Sequence, residues 1–226
     1  MFYLDWTYLL IIPGMILGLW AQSKVKSTYA EYSKIPTRLG RSASSVVNEL
    51  LHRNGNRKVS IGRVSGELTD HYNPSNETLN LSDGVYASNS IAALGIAAHE
   101  AGHAMQKHEN YAPLMLRTTI VPAVNICSSL STPLFFLGLI MAWEPLTTLG
   151  IILFAASTVF ALVTLPVEFN ASNRAVAMLT EGGYVTGEEE RGVRKVLQAA
   201  ALTYVAAAVT SLLSLLRLVL IARRRD

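Results

Sequence analysis

Four long apolar stretches set the layout of the chain. The first, Tyr8 to Ala21, carries no charge, and its Pro13 and Gly14 are residues that membrane helices tolerate. It is shorter than the ~20 residues that usually cross a bilayer. A signal peptide would need a basic segment ahead of it, whereas the preceding residues hold Asp5 and no Lys or Arg. The pattern therefore favours an uncleaved anchor. The second stretch, Thr118 to Trp143, and the third, Pro145 to Val167, contain no charged residue and are separated by Glu144 alone. Each is long enough for a hydrocarbon core of ~30 Å, so the pair predicts a transmembrane hairpin turning at 143–145. The fourth stretch, Gln198 to Ala222, encloses Arg217 and runs into Arg223-Arg224-Arg225. It fits a span, a tilted helix or an interfacial helix with snorkelling arginines.

The polar segments carry shorter-range signals. Residues 42–52 place Val46, Val47, Leu50 and Leu51 on one helical face, with Gly55 near the C-terminal cap. Residues 59–82 turn strand-like, and 68–72, the turn-rich 73–76 and Thr78–Leu81 predict a hairpin with Leu79 and Leu81 on its buried face. Ser90 is placed to cap a helix running to about His108, and Thr186-Gly187-Glu188-Glu189 reads as a capping box for the last helix.

Composition agrees with a membrane protein. Of 226 residues half are hydrophobic and only 15% are charged, against about 25% in soluble domains; the mean hydropathy is +0.31. This excludes a disordered protein, an acidic binding module and an ordinary soluble globule. The net charge of +3 does not point to nucleic acid, because the basic residues form no arm or aromatic-interleaved patch. The single cysteine, Cys127, excludes an internal disulfide and a Cys-rich zinc module. Charge placement also gives an orientation. No Lys or Arg precedes the first stretch, while Lys24, Lys26, Lys34, Arg38 and Arg41 follow it. The positive-inside tendency puts residues 22–117 in the cytoplasm, and the hairpin returns 168–197 to the same side. Four full spans would leave the C-terminal arginines opposite, against that tendency.

The chemistry lies in Ala97-Ala98-His99-Glu100-Ala101-Gly102-His103-Ala104. On a helix His99 and His103 project from one face a turn apart, a spacing that lets two imidazoles bind one Zn²⁺. Glu100, rotated by ~100°, is near enough to reach water at the metal without being a ligand. Two histidines and an unpaired acid on an Ala-rich helix are costly to bury, and a metal removes that cost. A third protein ligand is expected. His108 is turned off the ligand face, and His52 and His71 have no supporting spacing. Glu109, six residues beyond His103, lacks a helix-breaking glycine, since position 106 is Gln. Glu168 follows the third apolar stretch directly. Its helical neighbours Ala171, Ser172 and Ala175 would let its helix approach Ala98, Ala101 and Gly102 closely enough to share a metal.

With these segments in view, the sequence resembles the YugP-type membrane zinc metallopeptidases, and more distantly the HtpX-like and CAAX-prenyl-protease zincins. The resemblance rests on His71-Tyr72-Asn73-Pro74, Leu79-Asn80-Leu81-Ser82, Ile91 to Gln106, Glu168 to Ala175 and Glu188 to Gly192, in order along most of the chain. It implies a mainly α, integral membrane fold: a zincin-like (gluzincin) core with a small β-hairpin or sheet and three to four transmembrane helices. The whole chain, 1–226, would be a single metallopeptidase domain. Its segments are a first span at 8–21, a cytoplasmic part at 22–117, the hairpin at 118–167, a second cytoplasmic part at 168–197 and a fourth span or interfacial helix at 198–222. The resemblance makes His99, His103 and Glu168 the ligands of one zinc per chain and Glu100 the catalytic acid/base. Related sequences often carry an acid shortly after the third-ligand Glu, where this chain has Asn170 and Ser172.

The expected activity is hydrolysis of peptide bonds by zinc-activated water, in a multi-pass protein of the cell membrane with its site on the cytoplasmic side. A further donor to the developing oxyanion is expected; His71, Tyr72, Tyr111, Arg174 and Tyr184 are chemically able, with Arg174 first because it travels with Glu168. Glu77–Ser82 is read as an edge strand, so that an extended peptide would add beside Leu79, Asn80 and Leu81. Partners are then peptide or protein substrates, membrane proteins among them, and the lipid bilayer, without nucleic acid. The rival readings are a non-catalytic, zinc-stabilised membrane scaffold and a transporter. Against the transporter, no apolar stretch before Arg217 carries a charge of the kind that marks an ion path.

Overall fold

A computed structural model describes residues 6–223; Asp5, Arg224 and Arg225 lie outside the described residues. In chain order the elements are α1 (Tyr8–Tyr32), α2 (Ala43–Arg53), β1 (Ser60–Val64), β2 (His71–Asn73), β3 (Thr78–Ser82), α3 (Asp83–Tyr86), α4 (Ile91–His108), α5 (Ala112–Ile140), α6 (Glu144–Glu181) and α7 (Glu188–Arg223). Helices dominate, with one small sheet. Four of them, α1, α5, α6 and α7, are long and apolar enough to cross a membrane. All four outrun their apolar stretches: α1 beyond Ala21, α5 by starting six residues ahead of Thr118, α6 beyond Val167, and α7 by starting ten residues ahead of Gln198.

The chain forms two compact units: residues 6–22, 115–166 and 202–223 in one, residues 23–114 and 167–201 in the other. The physical reason is composition. Apolar helices pack among themselves through small residues, while the polar segments bury a separate core. In the helical unit the α5–α6 turn closes with Trp143 N–H donating to Gly138 O at 2.9 Å, and Pro145 sits in the first turn of α6, where its missing N–H costs nothing. Gly150 lies against Phe135 so closely that a Cβ would collide with the α5 backbone. Thr158 and Ser211 share a hydrogen bond of 2.8 Å. Arg217, the one charge inside the fourth stretch, donates to Thr7 Oγ1 at 3.3 Å and lies 3.9 Å from the Tyr8 ring centroid. A cation–π contact lets α7 carry it as a continuous helix.

In the polar unit Ser42 caps α2 by accepting from Ser45 N–H, and Ser90 caps α4 by accepting from Ala93 N–H. Gly55, at φ 82°, ends α2 in the left-handed region that favours glycine. The α7 capping box does not form: Glu189 Oε1 accepts the backbone N–H of Arg38 instead of reaching back to Thr186. Leu50, Leu51, Leu79, Leu81, Val85, Leu94 and Leu179 are buried in one core.

The sheet order is β1-β3-β2. The expected hairpin is present as β2 and β3, antiparallel with His71 opposite Asn80 and Tyr72 opposite Leu79. The expected edge strand is corrected, however. β3 is the central strand, because β1 pairs parallel to its other side with Ile61 opposite Leu79 and Arg63 opposite Leu81. Leu79 and Asn80 therefore have strands on both sides, and Leu81 is paired on its β1 side, so β3 is not an edge to which a peptide strand can add.

Candidate metal centre

Helix α4 carries the histidines in a middle stretch of small residues: Ala97, Ala98, Ala101 and Ala104 are buried without exposure. Gly102 allows the close approach expected from sequence. A Cβ there would strike the carbonyl of Ala171 on α6, so only glycine lets the two helices meet at this depth. That contact sets Glu168, itself 2% exposed, against the ligand face of α4. Glu168 Oε2 lies 3.3 Å from His99 Nε2 and 3.6 Å from His103 Nε2. The imidazole rings stand edge to face with centroids 4.8 Å apart, and one ligand atom from each of the three residues falls within 4.8 Å of the others. Bonds of ~2.0–2.1 Å to a tetrahedral metal give ligand–ligand separations of about 3.3–3.4 Å. The donor set and two of its edges thus fit Zn²⁺.

The outward nitrogens are also engaged. His99 Nδ1 is 3.1 Å from Ser172 Oγ, and His103 Nδ1 is 3.0 Å from Gln106 Oε1. Both Nε2 atoms are left to converge on Glu168. Burial alone would lower the His103 pKa, but its hydrogen bond to Glu168 and the charges of Glu100 and Glu168 raise it. Glu100 stands beside this group and accepts the backbone N–H of Tyr72 at 2.9 Å on Oε2. Its carboxyl is pushed above the ordinary range by burial, against the opposing fields of His99 and His103 and the Tyr72 hydrogen bond.

The remaining sequence candidates are placed differently. Arg174 donates from Nε to Asn170 Oδ1 at 2.7 Å, pairs with Glu109 at 2.7 Å and lies 5.9 Å from the Tyr111 ring centroid. Glu109 itself is the cap residue after α4. His71 is exposed, with Nδ1 2.9 Å from Thr69 O and Nε2 3.1 Å from Asn80 Nδ2. Tyr184 is buried beneath the guanidinium groups of Arg41 and Arg53, each under 6 Å from its ring centroid. Burial raises the Tyr184 pKa first, and its hydrogen bond to Glu49 adds to that. Tyr72 meets Glu100 through its main chain, and its side chain helps line a polar cavity of about 240 Å³ with Lys58, Glu77 and Lys107. Two roles escaped the sequence reading. The Tyr72 backbone contact carries no side-chain signal. Gln106, three residues beyond His103 on the same helical face, was legible as a neighbour by its i+3 spacing.

Residues 7–223 match the family described as "Putative neutral zinc metallopeptidase". The chain is 47% identical over 212 residues to the "Putative membrane protease YugP" of Bacillus subtilis (strain 168), with 94% of each chain covered. No solved structure matches it. A family match over nearly the whole length, joined to a His-His-Glu cluster with metal spacing, means that this chain belongs to the zinc metallopeptidase family that includes YugP-type membrane proteases.

Proposed function

We propose that the protein is a membrane-embedded zinc endopeptidase that binds one zinc per chain through His99, His103 and Glu168 and cleaves peptide bonds at the cytoplasmic face. The observation that carries this reading is the convergence of the three ligand atoms within 4.8 Å with a carboxylate of raised pKa next to them. Zinc, when bound, supplies the Lewis acidity that activates water and polarises a carbonyl. Glu100 is the proton carrier: a buried carboxylate accepts a proton from water more readily than an exposed one, and hands it to the departing amine. The Tyr72 N–H holds Glu100 Oε2 in place. The four apolar helices and the name of the YugP relative support the membrane setting.

The substrate strand moves from β3 to β2. Within the β2–β3 pair the Tyr72 N–H points away from β3, since it bonds Glu100 instead. β2 is the edge strand beside the metal helix, and an extended peptide laid along it would donate its N–H to the Tyr72 carbonyl, the Tyr72 N–H being held by Glu100, and pass the ligand cluster. For the oxyanion, Arg174 keeps first place among the candidates by its position on α6, six residues beyond Glu168.

The test is direct. The full chain, purified in detergent, should carry one zinc and cleave unfolded proteins, with activity lost on chelation and restored by zinc. A wild-type chain that binds no zinc overturns the reading. Bound zinc without hydrolysis of any peptide or protein would instead favour the scaffold.

A further inference from the structure

We infer that Gln106 is a positioning residue of the metal centre, whose clamped amide fixes His103 as the Nδ1–H form and so turns its Nε2 lone pair toward Glu168. The inference rests on the metallopeptidase reading above and assigns the device that orients one of its ligands.

Gln106 is fully buried on α4. One end of its amide meets two oxygens of α6: the Val167 carbonyl at 2.8 Å and Asn170 Oδ1 at 2.9 Å. A backbone carbonyl can only accept. The Asn170 atom is likewise fixed as oxygen, because it accepts from Arg174 Nε, which can only donate, at 2.7 Å. Both contacts therefore require the NH₂ end of Gln106. Flipping the amide would set three oxygens against one another around a fully buried side chain, at the cost of unpaired polar groups. With that end fixed, the carbonyl oxygen must face His103 Nδ1, 3.0 Å away. An amide oxygen only accepts, so Nδ1 carries the proton. In a neutral imidazole the lone pair then belongs to Nε2, the atom that lies 3.6 Å from Glu168.

The same amide bridges two ligands. Val167 and Asn170 bracket Glu168 on α6, so the bonds that orient Gln106 also hold the turn carrying the third ligand against the helix carrying the second. Arg174, anchored by Glu109 at 2.7 Å, braces Asn170 from behind. His99 has no such device: its Nδ1 meets the Ser172 hydroxyl, which can donate or accept. This gives physical content to the missing acid after Glu168. The acceptor that orients a metal-bound histidine is often a carboxylate; here an uncharged carboxamide from the histidine's own helix takes the part.

Two readings on the full chain in detergent test this, with zinc as the only ligand. In ¹⁵N-histidine-labelled, zinc-loaded wild type, His103 should show a protonated, exchange-protected Nδ1 and a metal-bound Nε2. In Gln106→Leu, zinc affinity measured by chelator competition should fall by ~10- to 100-fold, and at saturating zinc the His103 Nδ1 proton should lose its protection. A merely structural role would not move that proton. Zinc on His103 Nδ1, or wild-type affinity in Gln106→Leu, overturns the positioning role while leaving the metallopeptidase reading intact. The wild-type spectrum decides even if Gln106→Leu does not fold. Failure of wild type to bind zinc removes both.

Discussion

Glu168 is a carboxylate with almost no exposure, set between two imidazoles. Such a group is costly to bury unless its charge is shared, and a divalent cation shares it best. Glu168→Ala should therefore strip or strongly weaken zinc, measured as metal per chain after desalting. Glu109→Ala should leave the stoichiometry near one, because Glu109 caps α4 and pairs with Arg174. Tyr72 gives a pH prediction. Its phenol is pushed up to about 12 by burial, with Glu77 adding to the effect, whereas an unfolded Tyr titrates near 10. A raised folded pKa means this stability is fully present below pH ~10 and is lost as pH rises towards ~12. The Tm of Tyr72→Phe should thus fall less between pH 9 and pH 11 than that of wild type; an identical fall would contradict the burial of that hydroxyl. At this scale His99, Glu100 and His103 were legible because their geometry is local to one helix. Tyr184 was not, since nothing in its neighbourhood in sequence announces the two arginines that cover it.

The contact of α4 with α6 positions the third ligand, and Gly102 is its narrowest point. Gly102→Ala should push α6 outward, lowering zinc affinity together with a stability loss of ~1–3 kcal/mol, as overpacking usually costs. Undisturbed zinc binding in that variant would show that Glu168 does not depend on this approach. For β2, the substrate's main chain is expected to pair with the strand, so peptides N-methylated beside the cleaved bond should show raised KM with zinc content unchanged. The hairpin of β2 and β3 was readable from its turn residues and the alternation at Leu79 and Leu81. The central position of β3 was not, because a parallel partner such as β1 is fixed by tertiary packing rather than by any adjacent turn. Likewise the small residues around Gly102 and Ala171 announced a close helix pair, while the Gln106 bridge across it depends on side-chain placement that periodicity does not encode.

Across the whole molecule, the apolar stretches were the clearest part of the sequence, and they return as α1, α5, α6 and α7. The ambiguity over the fourth stretch came from Arg217, whose partners Thr7 and Tyr8 lie some two hundred residues away in sequence. In the helical unit the end of α7 lines a cavity of about 750 Å³ with Trp143 and Glu144 of the hairpin turn, so Arg223 shares an end with that turn. The basic residues after α1's apolar part still favour a cytoplasmic polar unit. In a chain freed of Cys127, a cysteine at Ser75 should then be protected from impermeant reagents in intact cells, and one at Glu144 should react; the reverse pattern would invert the orientation. Whether this family member hydrolyses peptides with Glu100 as proton carrier is decided by the turnover rate of zinc-loaded Glu100→Gln on an unfolded protein substrate. That variant should hold full zinc and turn over at least ~10²-fold more slowly than wild type; undiminished hydrolysis would rule out Glu100 as the proton carrier.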